Sequence, residues 1–195
     1  MRQGAEAVND VHSYEKTQRL ERLLAEDHAE LDELLRALNN ALAGDDAAAA
    51  FARLDLFWAR LGVHIRAENL HLFPAILVAL ADESEKSERL KATLNEARAD
   101  IARLRVDHHF FMHELARAVK TMRELLTMSG SNNVTSRLQD VRQLLLTVTE
   151  RLVAHNRLEE GRVYRLPATT LGITAQTTLA AHVERELRNL PPRFN

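Results

Sequence analysis

The chain contains one spacing twice, a histidine followed four residues later by a glutamate: His64 with Glu68, and His155 with Glu159. Residues four positions apart lie on the same face of an α-helix, one turn above the other. An imidazole nitrogen and a carboxylate oxygen can therefore reach a common point from one rigid helix. Two such pairs facing each other, completed by single histidines from two more helices, would enclose a pair of metal ions.

Four long segments repeat apolar residues at spacings of three and four, the pattern of amphipathic helices. Each has a histidine where this pattern requires an apolar residue; in chain order they are His28, His64, His108 and His155. Placing an imidazole or a carboxylate in a core costs free energy unless it is hydrogen-bonded or bound to a metal. A lone core histidine is more often satisfied by a neighbour. Four of them, two with glutamates on the same stripe, favour a metal site.

The types of donor restrict the metal. Neutral imidazoles with bridging carboxylates suit iron, and also manganese or zinc. Four histidines and two glutamates are too many for one tetrahedral zinc, but they fit two six-coordinate ions that share two carboxylate bridges and keep open positions. Helical bundles build carboxylate-rich di-iron sites from inward-facing residues of this kind. The chain has no HExxH zinc-protease motif, and it has no cysteine for thiolate ligation.

Four helices must position these side chains, and we predict them at about residues 24–42, 54–80, 90–125 and 141–162. The turn at residues 44–46 ends the first, and Pro74 kinks or interrupts the second. The third is predicted as one unusually long helix that stops at residues 129–133. Asn133 or Thr135 is a suitable N-cap for the fourth, which stops before Pro167.

Four amphipathic helices with short connections predict an all-α fold, an antiparallel up-down four-helix bundle over residues 14–167. Residues 168–195 form an appendage, with a threonine-rich loop at 169–178 and a short extra helix at 179–190. Whether this appendage packs on the bundle or on a partner is not determined by the sequence.

Composition excludes several classes of function. The net charge of the 195 residues is −2 with well-mixed signs, so we expect no nucleic-acid partner. No run of about 18 apolar residues occurs, so we expect no membrane-spanning helix. Residues 1–12 lack the apolar stretch of a secretory signal, and the expected location is the cytoplasm. The sequence leaves a homodimer open.

The chain resembles a known family, and the resemblance rests on motifs in a fixed order: His28, His64-Ile-Arg-Ala-Glu68, His108 and His155-Asn-Arg-Leu-Glu159. This order, over roughly residues 20–166, is similar to that of the hemerythrin-like, or HHE cation-binding, domains. The stretch after Glu68, as far as Pro74, also resembles the family. The resemblance implies an up-down four-helix bundle with two non-haem iron ions joined by an oxo or hydroxo bridge. The four histidines would be terminal ligands, and Glu68 and Glu159 would be the bridging carboxylates.

The third predicted helix offers three histidines, His108, His109 and His113. The pair His109 and His113 is superficially similar to the two-histidine motif of the invertebrate oxygen carriers. The apolar stripe instead turns His108 inward and His113 outward, and it places Met112 where the carriers have their second histidine. One ligand of the carrier pattern is therefore missing, which counts against reversible dioxygen carriage. The choice between His108 and His109 stays open at this point.

Three further side chains are candidates for a supplementary contact to the metals or for a supporting position: His71, His109 and Met112. His71 lies seven residues after His64, so it could face the site. A supporting or surface position is favoured for it, because the turn at Pro74 follows closely.

Four other polar residues are expected to be peripheral. His12 and His182 lie outside the motifs and are predicted to be solvated. Asp27 and Asp107 each precede a histidine of an apolar stripe and are predicted to be surface charges. The alternative is that they orient a neighbouring imidazole from behind.

These residues predict a protein that binds or reacts with a small oxidant, such as dioxygen, nitric oxide or peroxide, for example in a stress response. One alternative is a metal- or redox-dependent sensor or interaction module, and another is an iron supply or repair protein. The pattern favours a metal-binding protein over a dedicated enzyme, and it identifies no catalytic residue.

Overall fold

The structure is a computed structural model that describes residues 19–127 and 134–194. Its α-helices, in chain order, are α1 (Arg19–Ala43), α2 (Ala47–Ala67), α3 (Phe73–Ser84), α4 (Glu88–Thr127), α5 (Val134–Gly161), α6 (Leu166–Thr170) and α7 (Ile173–Leu187). A π-helical turn (Glu68–Leu72) joins α2 to α3, and 3-10 turns span Val163–Arg165 and Pro192–Phe194. The described residues contain no strand, so the all-α prediction is confirmed.

The long helices enclose a common interior. Helix α1 packs on α2, α2 on α4, α4 on α5, and α5 on α1. Helix α3 packs on α4, and α7 lies against α1, α2 and the π-helical turn. Each long helix thus turns one apolar face inward, as its sequence pattern predicts.

The turn and the helix ends follow local signals in the sequence. Helix α1 ends at Ala43, Asp45 has a positive φ of 55°, and the Asp46 side chain accepts a hydrogen bond of 2.9 Å from the Ala49 N–H. This N-cap begins α2 and confirms the predicted turn. Helix α5 begins at Val134, so the prediction that Thr135 is its N-cap is wrong, because Thr135 lies inside the helix. Asn133 lies outside the described residues.

Helix α4 confirms the predicted long helix, with 40 residues. The second predicted segment is interrupted as expected, but the irregularity precedes Pro74. The N–H of Phe73 bonds to the carbonyl of Glu68, five residues back, which widens the helix by one residue. Pro74 then lies in the first turn of α3, where a proline is tolerated. Single π-helical turns of this kind frequently occur at functional sites.

The C-terminal segment differs from its prediction. Residues 169–178 are mostly helical, since α6 ends at Thr170 and α7 begins at Ile173, and α7 ends at Leu187 instead of residue 190. One face of α7 is buried: Gln176, Leu179, Ala180, Val183 and Leu187. Burial of this face outweighs the low helix propensity of the threonines. The domain boundary between residues 167 and 168 stays a prediction.

The interior consists of two apolar clusters separated by a polar layer. The first cluster includes Leu31, Leu61 and Phe111, and the second includes Leu24 and Leu104. Between them lie the buried polar side chains of α1, α2, the π-helical turn, α4 and α5. Each long helix therefore carries its histidine between two apolar stretches.

No helix within the described part of the chain is long and apolar enough to cross a membrane.

Helix α3 offers a paired test of this packing. Ile76 is fully buried, whereas Val78 on the same helix is 60% exposed. We expect Ile76→Ala to lower the free energy of unfolding by about 2–5 kcal/mol, because it leaves a cavity. Val78→Ala should change it by less than about 0.5 kcal/mol. Urea denaturation followed by circular dichroism measures both, and equal effects would contradict the described packing of α3.

Candidate metal centre

Six histidine and glutamate side chains meet in the polar layer, and none is more than 4% exposed: His28, His64, Glu68, His108, His155 and Glu159. They come from α1, α2, the π-helical turn, α4 and α5. The structure thus brings together all six residues for which the sequence predicts a metal-binding role. Their role as ligands stays a prediction.

The first group of donors comprises His28, His64 and Glu159, each with one atom within 4.8 Å of the others. The Nε2 atoms of His28 and His64 lie 3.2 Å apart. Nε2 of His28 lies 3.3 Å from Oε2 of Glu159. Two imidazole nitrogens and a carboxylate oxygen therefore point at one small volume.

The second group comprises Glu68, His108, His155 and Glu159, also within 4.8 Å. Nε2 of His108 lies 3.2 Å from Oε2 of Glu68, and Nε2 of His155 lies 2.9 Å from Oε1 of Glu159. Glu159 belongs to both groups through different oxygens. Glu68 faces both as well, because its Oε2 also lies 3.6 Å from Nε2 of His64.

Unpaired atoms at the centre show that these residues fit a cation. Oε2 of Glu68, Nε2 of His108 and Oε1 of Glu159 are buried without a hydrogen-bond partner. Nε2 of His108 lies 3.2 Å from Oε2 of Glu68, but these two atoms are not aligned for a hydrogen bond. Unpaired buried donors and acceptors are costly. A cation between the facing lone pairs would satisfy them.

The charges of the cluster shift its protonation equilibria. Burial lowers the pKa of His28, but the carboxylates of Glu159 and Glu160 outweigh this effect and raise that pKa to about 9. The pKa of His108 is raised to about 9 in the same way by Glu159 and Glu68. Burial raises the pKa of Glu159, yet three neighbouring imidazoles hold it well below its usual range. In the metal-free protein, protons on His28 and His108 offset the negative charge of the buried Glu159.

Two aspartates contact imidazoles at Nδ1, the ring nitrogen that faces away from the centre of the cluster. Oδ2 of Asp27 lies 2.8 Å from Nδ1 of His64, and Arg60 donates to Oδ1 of Asp27 at 2.7 Å. Such a carboxylate orients the ring so that Nε2 points at the site. Asp27 is 7% exposed, so its prediction as a surface charge is wrong and the orienting alternative holds. Its partner is the histidine of the neighbouring helix, not the adjacent His28.

The same arrangement recurs in the other half of the site. Oδ2 of Asp107 lies 3.3 Å from Nδ1 of His155, and Arg151 donates to Oδ1 of Asp107 at 2.6 Å. Asp107 is also 7% exposed, and its prediction as a surface charge is wrong for the same reason. Arg60 and Arg151 each lie four residues before a metal-site histidine, so the two halves repeat one pattern.

The remaining two imidazoles are held by the residues that follow the two glutamates. Oε1 of Glu160 lies 2.8 Å from Nδ1 of His28. The Asn69 amide nitrogen lies 3.1 Å from Nδ1 of His108, and Arg105 donates to the Asn69 amide oxygen at 3.2 Å. All four Nδ1 atoms are therefore engaged, and the four Nε2 atoms face the centre.

Two aromatic rings fix the imidazoles of the second group. The ring of Phe73 stacks on that of His108 with centroids 5.9 Å apart. The ring of Phe111 meets that of His155 edge-on at 5.2 Å. Apolar side chains thus limit both the motion of these imidazoles and the access of water.

Tyr164 is the residue at the centre of the cluster that sequence patterns do not indicate. It is 2% exposed, and its hydroxyl lies 2.7 Å from Oε1 of Glu68, to which it donates. Burial and the charges of Glu159 and Glu68 raise its pKa far above the usual value, so the phenol is neutral in the metal-free protein. Tyr164 lies in the 3-10 turn after α5, where no helical periodicity indicates which way a side chain points.

The other predicted candidates lie outside the cluster. His109 and His113 are exposed, while His108 is buried, in the orientation that the apolar stripe predicts. Met112 is half-buried and lies 3.2 Å from the place where a Cβ atom on Gly62 would be. It therefore packs against α2.

His71 faces α7 and not the site. Its Nε2 lies 3.9 Å from Oε2 of Glu186, and its ring centroid is 5.5 Å from that of His182. The structure therefore places His71 outside both donor groups, and its role stays a prediction. His182, which the sequence predicts to be solvated, is half-buried beside His71. His12 lies outside the described residues.

The geometry defines an all-helical protein with buried histidines and glutamates that are able to hold metal. A family model, the Hemerythrin HHE cation binding domain, matches residues 19–167. The chain belongs to this family, which confirms the resemblance seen in its sequence. No curated protein and no solved structure matches the chain significantly.

Two histidines of α4 test which of them binds metal. We expect His108→Ala to lose bound metal, because Nε2 of His108 faces Glu68 at the centre. His113→Ala should keep it, because His113 is exposed on the same helix. Elemental analysis of the purified variants measures this, with circular dichroism as a check of folding. Metal loss in His113→Ala alone would overturn the described orientation of α4.

The aspartate behind His64 gives a quantitative test. We expect Asp27→Asn to weaken metal affinity by about 10–100-fold, because it removes the carboxylate that orients the imidazole. Asp32→Asn, at an exposed position of the same helix, is the matched control. Competition with a chromophoric chelator measures both affinities. An unchanged affinity in Asp27→Asn would show that the contact at 2.8 Å has no part in metal binding.

Proposed function

We propose that the protein is a hemerythrin-like di-iron protein that binds or reacts with a small oxidant: dioxygen, nitric oxide or peroxide. The scaffold would be an antiparallel up-down four-helix bundle. The observation that carries this proposal is the presence of two buried donor groups that share Glu159. Two cations held by one carboxylate would lie close to each other, so an oxidant bound at one could exchange electrons with both.

The chain's own residues keep the site ready for such a reaction. Asp27, Asp107, Glu160 and Asn69 orient the four imidazoles. Phe73 and Phe111 pack on two of them and exclude water. When bound, a pair of irons would supply one-electron steps between the ferrous and ferric states.

An open surface groove beside the second donor group supports access for a small ligand. It has a volume of about 450 Å³ and lies between α2 and α4, with Ile65, Asn69, His108 and Met112 in its wall. His108 also belongs to the donor cluster, so only one layer of side chains separates the groove from the cluster. A diatomic molecule or a peroxide could cross this layer through side-chain motion.

Met112 favours reaction or sensing over reversible carriage. The position has a thioether in place of the second histidine of the oxygen carriers, and Met112 packs against Gly62. The second cation would therefore keep more positions open for water or a substrate. This supports turnover with an oxidant more than stable storage of dioxygen.

A sensor is the second candidate, and the position of α7 favours it. Helix α7 packs on the π-helical turn that carries Glu68. Arg66, two residues before Glu68, pairs with Glu186 of α7. A change in the coordination of Glu68 could therefore move α7 and alter a contact with a partner. No contact of the described residues favours iron supply or repair over these two functions.

The test of the proposed function begins with metal analysis of protein purified in air. We expect two irons per chain and charge-transfer absorption in the protein purified in air. After reduction, we expect the absorption spectrum to change when dioxygen, nitric oxide or peroxide is added. Glu159→Gln should lose both irons, because Glu159 serves both groups. Glu150→Gln, at an exposed position of the same helix, should keep them.

The possible results separate the alternatives. A colourless protein with one zinc or no metal would overturn the di-iron proposal. Two irons without a response to any of the three oxidants, together with a change in oligomeric state on reduction, would favour the sensor.

A further inference from the structure

Tyr164 reaches the donor cluster because the backbone changes direction abruptly after α5. Helix α5 ends at Gly161, and Arg162 leaves the helical conformation with φ −134° and ψ −59°. The 3-10 turn Val163–Arg165 then directs Tyr164 back between the helices. Its ring lies 5.5 Å from that of His28, centroid to centroid.

The phenol oxygen is close to four donor atoms of the cluster. It lies 2.7 Å from Oε1 of Glu68, 3.1 Å from Nε2 of His28, 3.2 Å from Oε2 of Glu159 and 3.3 Å from Nε2 of His64. A phenol has one proton, so it can donate to only one of the two carboxylates. Four close polar neighbours are more than a single hydrogen bond to Glu68 requires.

These distances are those of atoms that surround one cation. Metal–donor bonds to nitrogen and oxygen are about 2.0–2.2 Å long, so neighbouring donors on an octahedral ion are separated by about 3 Å. The phenol oxygen meets this distance to each of its four neighbours. So do two pairs among those neighbours, His28 with His64 at 3.2 Å and His28 with Glu159 at 3.3 Å.

We propose that Tyr164 is a phenolate ligand to the cation that His28 and His64 hold. This inference rests on the proposed metal centre and adds a seventh protein ligand to it. As the oxygen–metal bond forms, the O–H bond breaks and the proton leaves to solvent. The bond replaces the hydrogen bond that the phenol donates to Glu68 in the metal-free protein.

With the phenolate bound, the two cation positions have different numbers of protein ligands. The first position has donors from five side chains: His28, His64, Glu68, Glu159 and Tyr164. The second has donors from four: Glu68, His108, His155 and Glu159. The second position thus keeps the vacant coordination sites, and it lies on the side of the surface groove that His108 lines. An external ligand binds there and not at the cation beside Tyr164.

The experiment uses the ferric full-length protein, loaded with iron alone and then desalted. A phenolate bound to ferric iron gives a visible charge-transfer band, and excitation into that band enhances tyrosine ring vibrations in the resonance Raman spectrum. We expect this band in the wild-type protein. We expect it to be lost in Tyr164→Phe, with the iron content retained. Tyr14→Phe is the matched control, since Tyr14 is the other tyrosine of the chain, and it should keep the band.

The outcomes separate this inference from the proposed function. Wild-type protein without iron would overturn both. Two irons per chain without a phenolate band would overturn the role of Tyr164 and leave the di-iron proposal standing. A band that persists in Tyr164→Phe would also overturn it. If Tyr164→Phe does not fold, ring-deuterated tyrosine in the Tyr14→Phe protein tests the same point, because the enhanced vibrations must then shift.

Discussion

The complete burial of two carboxylates is the constraint on which the rest of the structure depends. Glu68 and Glu159 have no exposed surface, and each lies between helices that are otherwise packed through apolar side chains. An isolated buried carboxylate would be prohibitively costly. The four imidazoles and the phenol therefore have one shared electrostatic purpose, which is to surround two negative charges. In the metal-free state, protons on His28 and His108 offset negative charge, and metal cations would take their place.

The same arrangement of side chains supports the buried carboxylates in each half of the site. In each half, an arginine fixes an aspartate, the aspartate fixes the histidine of the next helix, and a glutamate follows one turn later. The halves differ behind the other two imidazoles, where Glu160 supports His28 and the neutral Asn69 supports His108. The Glu160 carboxylate accepts the Nδ1 proton of His28 and raises the basicity of that imidazole, whereas the amide nitrogen of Asn69 is itself a donor and does not. The two cations would therefore meet donors of different strength, in addition to the difference that Tyr164 introduces.

Helical periodicity explains which features could be predicted from the sequence. The four histidines and two glutamates interrupt regular apolar stripes, so their inward orientation and their shared location follow from spacing alone. Tyr164 could not be found in this way, since it lies beyond the end of α5 in an irregular turn. The burial of Asp27 and Asp107 does not follow from the sequence, because charged residues are usually solvated and the positions of Arg60 and Arg151 are needed to explain it. The threonines before Leu179 predict a loop, but the buried stripe that begins at Gln176 makes this stretch part of α7.

The π-helical turn has a consequence for the whole second segment. One stripe of buried residues continues from His64 through Glu68, Leu72, Ile76 and Leu80, each four positions after the last. In a regular α-helix, each such step would rotate the inward face by about 40°, because four residues exceed one turn of 3.6. The extra residue of the π-helical turn offsets part of this rotation beside Glu68. The irregular turn therefore keeps the buried face aligned, so that a single segment supplies both Glu68, a proposed metal ligand, and the apolar residues beyond it.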